Sequence, residues 1–500
     1  MVPQERLFVK LVGLGIGAKM MKFIRSLYAG TRMKVRLKGG VSEGFENLRG
    51  VRQGCPTSPI IFNMFINDIL EGLEGITVPG LPDKLPGLCF ADDTVLFAES
   101  IEEMKINLDK IQKWMQINCM EINTTKCGLM WIKGSGTERI GQPIEYEGNP
   151  IPWTENYTYL GIEINQDLDL EKMAKSRATR GYVLVKQLEK SLTNNRVPIA
   201  FKRMLIQNML IPKLIYGGEI FGMPAQRAKE ADKIANMAIA KVLRKPKFCR
   251  HRAYEELGIE TVEHRMACSR ARGWAKWIKS HGLISELIKT AKIPLGRKRT
   301  IIKRTQQWIK RMKIATDGSK EDIVKSTKET LKHRKIARDK TIIGNIARIC
   351  DFGYNKLIQE IECEHPRLNR GIQAILKLRT GTFRFTNELV KSKWLESKWL
   401  NRCICCKEET KENMKHLLFD CKAFETERRK CLQENMHRVA QMGKPMNCYD
   451  LAVGLCLAGT GAKAMGVNPV QAVVQTTRFL NIIIVKRLNL IKEARENLQS

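Results

Sequence analysis

Five hundred residues exceed one ordinary domain and suggest about three; 43% hydrophobic and 28% charged residues exclude broad disorder. Lysine and arginine number 86 against 52 acidic residues, a net charge of +34 that points to a polyanionic partner and away from a plain metabolic enzyme. No uncharged apolar stretch reaches the roughly 18 residues needed to span a bilayer, no signal-peptide order opens the chain, and fifteen scattered cysteines suit a reducing intracellular compartment, nucleus and cytoplasm.

In chain order, residues 7–28 read as two helices around the turn Gly13-Leu14-Gly15-Ile16-Gly17, whose spacing is not that of a dinucleotide loop. Residues 33–48 read as a β-hairpin. Ser58-Pro59 opens a helix, with Ser58 as N-cap and Pro59 at its first position, and Ile61, Phe62, Phe65, Ile66, Ile69, Leu70 and Leu73 as its apolar face. Leu88 to Ala98 is two short apolar runs broken by Asp92-Asp93. Ser100 and Glu103 form a capping box for a helix burying Ile101, Met104, Leu108, Ile111 and Met115. Asn123–Ile132 and Tyr157–Ile164 are strand candidates.

Leu168 to Phe221 is helical. From about residue 226 the chain stays helical and becomes more basic; residues 289–313 hold ten lysines or arginines and no acid, a linker or a solvated helix face. Trp274, Trp277 and Trp308 lie near these basic tracts and suit core packing better than base stacking. Val470 to Leu498 is a packing helix.

Two constellations carry chemistry. In Phe90-Ala91-Asp92-Asp93-Thr94-Val95-Leu96-Phe97, two carboxylates at a tight hairpin repel each other unless solvated or neutralised by cations. They suit Mg²⁺ (or Mn²⁺) with its preference for oxygen ligands, and paired metals can activate a hydroxyl and stabilise a leaving phosphate. An ordinary Asp-Asp turn is the competing reading. The second is Cys403, Cys406, His416 and Cys421, spaced C-x2-C-x9-H-x4-C, a tetrahedral set for Zn²⁺; Cys405 is an alternative to Cys406. A helix beginning near Glu412 is expected to close the loop. Free thiols beside a core histidine are the competing reading.

With these residues in view, the chain resembles the reverse transcriptases of non-LTR (LINE-like) retrotransposons. Arg49 to Pro59 resembles their template- and nucleotide-contacting motif, and Phe90 to Phe97 their F/Y-A-D-D hairpin. Ile122 to Cys127 is similar to the motif that follows, and Tyr157 to Ile162 to their primer grip. The resemblance implies that Asp92 and Asp93 hold the palm metal, and that Lys126 sits near the leaving phosphates. It assigns Arg52, Gln53, Gly54, Pro56 and Ser58 to the nucleotide and template, and Tyr159, Leu160 and Gly161 to the primer. An RNA template, a DNA primer and dNTPs are the implied partners, with no membrane; nicked target DNA would prime on the element's own RNA.

Ile375 to Gly381 and His416 to Cys421 are similar, less specifically, to the C-terminal segment of many such polyproteins. Lys444-Pro445-Met446-Asn447 does not form the constellation of a restriction-like endonuclease, so no nuclease is expected.

The family's first palm motif carries an aspartate that binds both metals, followed by a Val-Pro-like step and a helix. This chain opens Met1-Val2-Pro3-Gln4-Glu5-Arg6, so it is expected to start just past that motif, without fingers or an upstream endonuclease. Glu5, on a predicted helix, is a poor substitute. The expected fold is α+β: an incomplete right-hand polymerase palm of antiparallel sheet plus helices at 1–165, and a helical thumb at 166–225. A basic helical linker region at 226–370, a CCHC zinc-knuckle segment at 371–430 and a helical tail at 431–500 would follow. The expected function is RNA-directed DNA polymerisation, inactive or impaired in this chain. The alternatives are a non-catalytic nucleic-acid-binding remnant and a domesticated or maturase-like RNA-binding protein.

Overall fold

The computed structural model describes residues 2–47, 49–79, 81–132, 143–222, 225–289, 301–314, 319–339, 356–441, 448–459, 462 and 465–496. The segment 290–300 of the basic tract, Lys444 to Asn447 and the last four residues of the expected tail, 497–500, lie outside them. The chain divides into two compact units: Met1–Leu168 with Trp277–Ile302, and Asp169–Lys276 with Lys303–Ser500. No helix among the described residues is long and apolar enough to cross a membrane.

In the first unit, α1 (Gln4–Gly13) and α2 (Ala18–Tyr28) meet at the expected turn, with Gly15 at φ 85°. Their inner faces, Leu7, Phe8, Leu11, Met21, Ile24 and Tyr28, close on Ile61 and Phe65 of α3 (Ser58–Ile66). The hairpin expected at 33–48 is a nested pair: β1 (Arg32–Met33) with β4 (Phe45–Glu46) outside, β2 (Arg36–Leu37) with β3 (Gly40–Val41) inside. β5 (Gly87–Phe90) pairs with β6 (Asp93–Leu96), and α4 (Ile101–Ile117) follows. Ser100 caps α4 by accepting from the Glu103 amide at 3.1 Å, while the Glu103 carboxylate takes the Glu99 amide. β7 (Ile144–Tyr146) pairs with β8 (Asn149–Ile151), and β9 (Asn156–Tyr159) with β10 (Ile162–Asn165). Every sheet among the described residues is antiparallel and two-stranded.

Three local expectations are corrected. Asn123–Ile132 is not a strand: Thr124–Lys126 is a 3-10 turn, and only Leu129 bridges, in parallel, to Trp153. The Thr125 hydroxyl donates to the Asn123 side chain at 2.6 Å, the local bonding by which short polar residues compete with a ladder. Tyr157–Ile164 is a hairpin rather than one strand, because Leu160 (φ 47°) and Gly161 (φ 73°) occupy the two left-handed positions of a tight turn. Ser58 is the first residue of α3 rather than its N-cap; its hydroxyl donates back to the Arg52 carbonyl at 2.7 Å.

The second unit is helical. α5 (Leu170–Thr193), capped by Asp169, packs along α9 (Ala225–Leu243), with α6 (Ile199–Leu205), α7 (Ile211–Ile215) and α8 (Gly218–Phe221) between them in sequence. Then come α10 (Arg250–Leu257), α11 (Val262–Lys279), α12 (Leu283–Lys289), α13 (Ile301–Met312), α14 (Lys320–Asp339) and α15 (Lys356–Glu364); α12 is counted with the first unit. α16 (Asn369–Thr380) and α17 (Thr386–Lys391) precede the cysteine segment, and α18 (Glu425–Gln441), α19 (Cys448–Ala458) and α20 (Pro469–Glu496) follow it. Gly381, at φ 67°, ends α16.

Gly371 lets α16 lie directly on the Thr477 carbonyl of α20, where a Cβ would collide with backbone. Trp274 and Trp308 are buried and Trp277 half-buried, so packing rather than base stacking claims the first two. Arg379 of α16 is fully buried and pairs bidentately with Glu256 of α10 at 2.7 and 2.9 Å, its third nitrogen donating to the Leu457 carbonyl.

Candidate functional site

The paired aspartates sit where a two-residue turn reverses the chain: Phe90 faces Asp93 across the hairpin, and Ala91 and Asp92 make the turn. Ala91 is held at φ 51°, a conformation costing a non-glycine residue roughly 1 kcal/mol. Such strain persists at sites where neighbouring structure fixes it. Both carboxylates are exposed and make no hydrogen bond or ion pair with the described residues. Among those residues they belong to no group of three or more side chains able to hold a metal. Gly87, at the base of the hairpin, is buried where a Cβ would strike the Val95 carbonyl, which lets β5 and β6 close.

Tyr157 and Tyr159 of the second hairpin lie within electrostatic reach of the first. Burial, with added charge from Asp93, raises the Tyr159 phenol above its ordinary value; Asp93 acts in the same direction on Tyr157, after burial and Cys127. The Tyr157 hydroxyl donates to the Lys126 carbonyl at 2.8 Å, and its ring lies against Gly128. Asp93, Tyr157, Tyr159 and the Lys126 backbone are therefore brought together, and the Lys126 side chain is exposed. Leu160 and Gly161 form the tip of this hairpin. Tyr157 was not among the expected site residues; its register, two before Tyr159 on one strand face, was the available signal.

The Arg52–Ser58 segment is built on the helical core. The Gly50 amide donates to the Val2 carbonyl at 2.6 Å, and the Arg52 guanidinium to the Leu27 carbonyl at 3.0 Å. Gln53, Gly54 and Pro56 are exposed, Gly54 at φ 81°, while Ser58 is buried with its hydroxyl turned inward. Ser58 therefore holds the loop's shape. The Thr57 hydroxyl, hydrogen-bonded to Cys55, lowers that thiol below its ordinary value.

The cysteine segment of the second unit is organised differently. Cys403, Cys406, His416 and Cys421 offer ligand atoms that all lie within 4.8 Å of one another, and only Cys406 is more than slightly exposed. Cys406 Sγ stands 3.5 Å from His416 Nε2. The backbone builds the group. The Lys407 amide returns to the Cys403 carbonyl at 2.9 Å, with Lys407 at φ 61°, and the Cys421 amide closes a wide helical turn on the His416 carbonyl at 2.8 Å.

Hydrogen bonds from Cys405 and Cys421 drive the Cys403 thiol far below its usual value, while Cys421 is pushed up by Cys403 and burial, and Cys406 chiefly by burial. One thiolate among thiols is the arrangement a soft divalent cation would complete. Cys405 belongs to a second close group with Cys403 and Glu412.

The helix expected near Glu412 is present, but Glu412 itself is not part of it. The helical turn begins at Met414, with Asn413 accepting from the His416 amide at 2.8 Å. Glu412 is instead buried, gripped by Arg487 at 2.7 and 2.8 Å and by the amide and hydroxyl of Thr386 at 2.7 and 2.6 Å. Its oxygens are thus committed to holding α17 and α20, which favours the Cys406 set over the Cys405 set. Glu412 and Arg487 lie 75 residues apart and carried no sequence signal.

Residues 1–164 match the family model described as reverse transcriptase (RNA-dependent DNA polymerase). The chain is similar to the Retrovirus-related Pol polyprotein from type-2 retrotransposable element R2DM of Drosophila melanogaster, 31% identical over 148 residues, 28% of this chain and 14% of that polyprotein. A type-1 retrotransposable element R2 polyprotein of Popillia japonica is 26% identical over 206 residues, 39% of this chain and 28% of the relative. The Probable RNA-directed DNA polymerase from transposon BS of Drosophila melanogaster is 21% identical over 313 residues, 59% of this chain and 34% of that protein. The chain thus spans well under two thirds of each of these relatives.

Proposed function

We propose, on the premise that residues 1–164 form a reverse transcriptase domain of the non-LTR retrotransposon kind, that this chain carries part of an RNA-directed DNA polymerase site. The first unit then supplies right-hand palm elements, and α5–α8 a thumb. The observation that supports the reading best is the Ala91-Asp92 turn, with Asp93 within electrostatic reach of Tyr157 and Tyr159.

Asp92 and Asp93 offer hard oxygen donors to Mg²⁺ or Mn²⁺, which when bound would activate the primer hydroxyl and neutralise the leaving phosphate. The hairpin tip at Leu160-Gly161 supports the primer backbone beside that corner. Gln53 and Gly54 face the nucleotide and template, the glycine leaving room for close approach and the glutamine supplying donors and an acceptor. Lys126 offers a cation to the departing phosphates of a dNTP. In the second unit, Cys403, Cys406, His416 and Cys421 are the donor set for Zn²⁺ in a CCHC knuckle; their mutual spacing suits a tetrahedral site with metal–sulfur bonds of about 2.3 Å.

With no third metal-binding side chain beside Asp92 and Asp93 among the described residues, the 500-residue polypeptide by itself extends primers poorly or not at all. The test is primer extension on an RNA template with Mg²⁺ or Mn²⁺. Background synthesis is expected, and robust synthesis abolished by Asp92→Asn would overturn this part of the proposal. The same incomplete carboxylate set favours a second reading, a nucleic-acid-binding remnant, which salt-dependent binding without extension would support.

A further inference from the structure

In the second unit, a group of cations gathers around residues 193–200. Lys202 of α6 is 1% exposed. Arg244, just past α9 at φ 54°, donates to the Thr193 carbonyl at 3.2 Å, and its own carbonyl accepts from Arg384 at 3.3 Å. From the other side, Asn369 and Gln373 of α16 both donate to the Asn195 carbonyl, at 3.0 and 2.7 Å. Lys377 stands one turn beyond Gln373 on the same helix face. The chain then folds back: the Thr382 and Phe383 amides return to the Lys377 carbonyl at 2.8 and 3.1 Å, carrying Arg384 toward Arg244.

The acids nearby are already engaged. Glu362 spends both oxygens on the Ile199 and Ala200 amides, at 2.6 and 2.8 Å, and Glu388 is paired with Lys245 at 2.8 Å. Neither the Lys202 nor the Lys377 ammonium donates a hydrogen bond to the described residues. Burial pushes both down to about 8; Arg244 and Lys377 add to this at Lys202, against the opposite pull of Glu362, and Arg244 and Arg384 add to it at Lys377. Four positive side chains held together against the single carboxylate of Glu362, which offsets part of the charge at Lys202, are costly, and the remaining cost is reduced when an anion with several acceptor oxygens enters.

We propose that Arg244, Lys377 and Arg384, with Lys202 buried behind them, form a phosphate-binding nest of the second unit that takes a backbone phosphodiester of a nucleic acid. The excess of 34 positive charges on the chain favours nucleic acid over a free phosphate ion, because it draws the polymer before any one phosphate docks. The inference does not depend on polymerase activity, so a failed primer extension leaves it standing.

The experiment is fluorescence anisotropy of the full chain with a labelled single-stranded RNA oligonucleotide across a salt series, comparing wild type with Lys377→Gln and Arg384→Gln. Each variant is expected to lose affinity about threefold to tenfold, and its salt slope to fall by roughly 0.7, the value for one phosphate no longer neutralised. Circular dichroism should show unchanged helix content. Unchanged affinity and slope, with a raised Tm from relieved repulsion, would overturn the proposal. So would a wild-type Tm that rises in inorganic phosphate while oligonucleotide binding ignores both substitutions, because the nest would then serve a free ion.

Discussion

The aspartate corner and the cysteine group are both sets of metal-type ligands, yet they are supported in opposite ways. Asp92 and Asp93 are exposed on a two-stranded hairpin, without hydrogen bonds to the described residues, at a strained turn. Cys403, Cys406, His416 and Cys421 are largely buried and close a loop braced by the Glu412–Arg487 pair. An exposed pair can exchange an ion with substrate and costs the fold little when empty. A buried set of thiols and imidazole is part of the fold's own core, and an ion there would contribute to folding directly.

The strongest way to break this contrast is to disrupt the proposed zinc site of the second unit. Cys421→Ser, or a chelator, is expected to release zinc and lower Tm by more than about 10 °C, on the basis of about 10 kcal/mol for structural zinc. Elemental analysis with near-ultraviolet circular dichroism checks it; a zinc-free wild type with an unchanged melt would erase the contrast. Next in size is Arg379→Met. It leaves Glu256 buried and uncompensated at a carboxyl that burial already raises, and should cost about 3–5 kcal/mol in a denaturant titration. Combining it with Glu256→Leu should restore most of that loss, and no recovery would mean that the pair is not the cause.

Lys202 gives a smaller, pH-dependent effect. Its folded value near 8 lies below its ordinary 10.5, so the folded state disfavours the charged form. That penalty is fully present below about pH 8 and is lifted as pH rises toward 10.5. Lys202→Met should therefore raise stability at about pH 7 and flatten the rise above about pH 8; an identical pH profile in the variant would contradict it. The smallest effect is at the corner itself. Asp92→Asn and Asp93→Asn should each shift stability by less than about 0.5 kcal/mol, and a loss of about 2 kcal/mol in thermal melts would show that the carboxylates hold the hairpin.

Legibility followed the range of the interactions. Asp92-Asp93 between apolar runs announced a hairpin, Ser100 a helix start, and the cysteine and histidine spacing the four residues that converge. The Asn123 turn was hidden because Thr125 bonds to its neighbour instead of to a strand, and the Leu160-Gly161 turn because a non-glycine residue adopts the left-handed conformation there.

By itself the sequence determined the excess positive charge, the periodic helices, the two chemically marked segments and the match of the first 164 residues to a reverse transcriptase family model. These depend on composition, short spacings and local backbone preference. Tertiary structure alone decided that Asp93 comes within electrostatic reach of Tyr157 and Tyr159, that Glu412 serves Arg487, and that Lys202, Arg244, Lys377 and Arg384 converge. Apart from Lys377 and Arg384, those partners lie tens to well over a hundred residues apart, and packing, which no local pattern encodes, chooses which distant charges share a buried space.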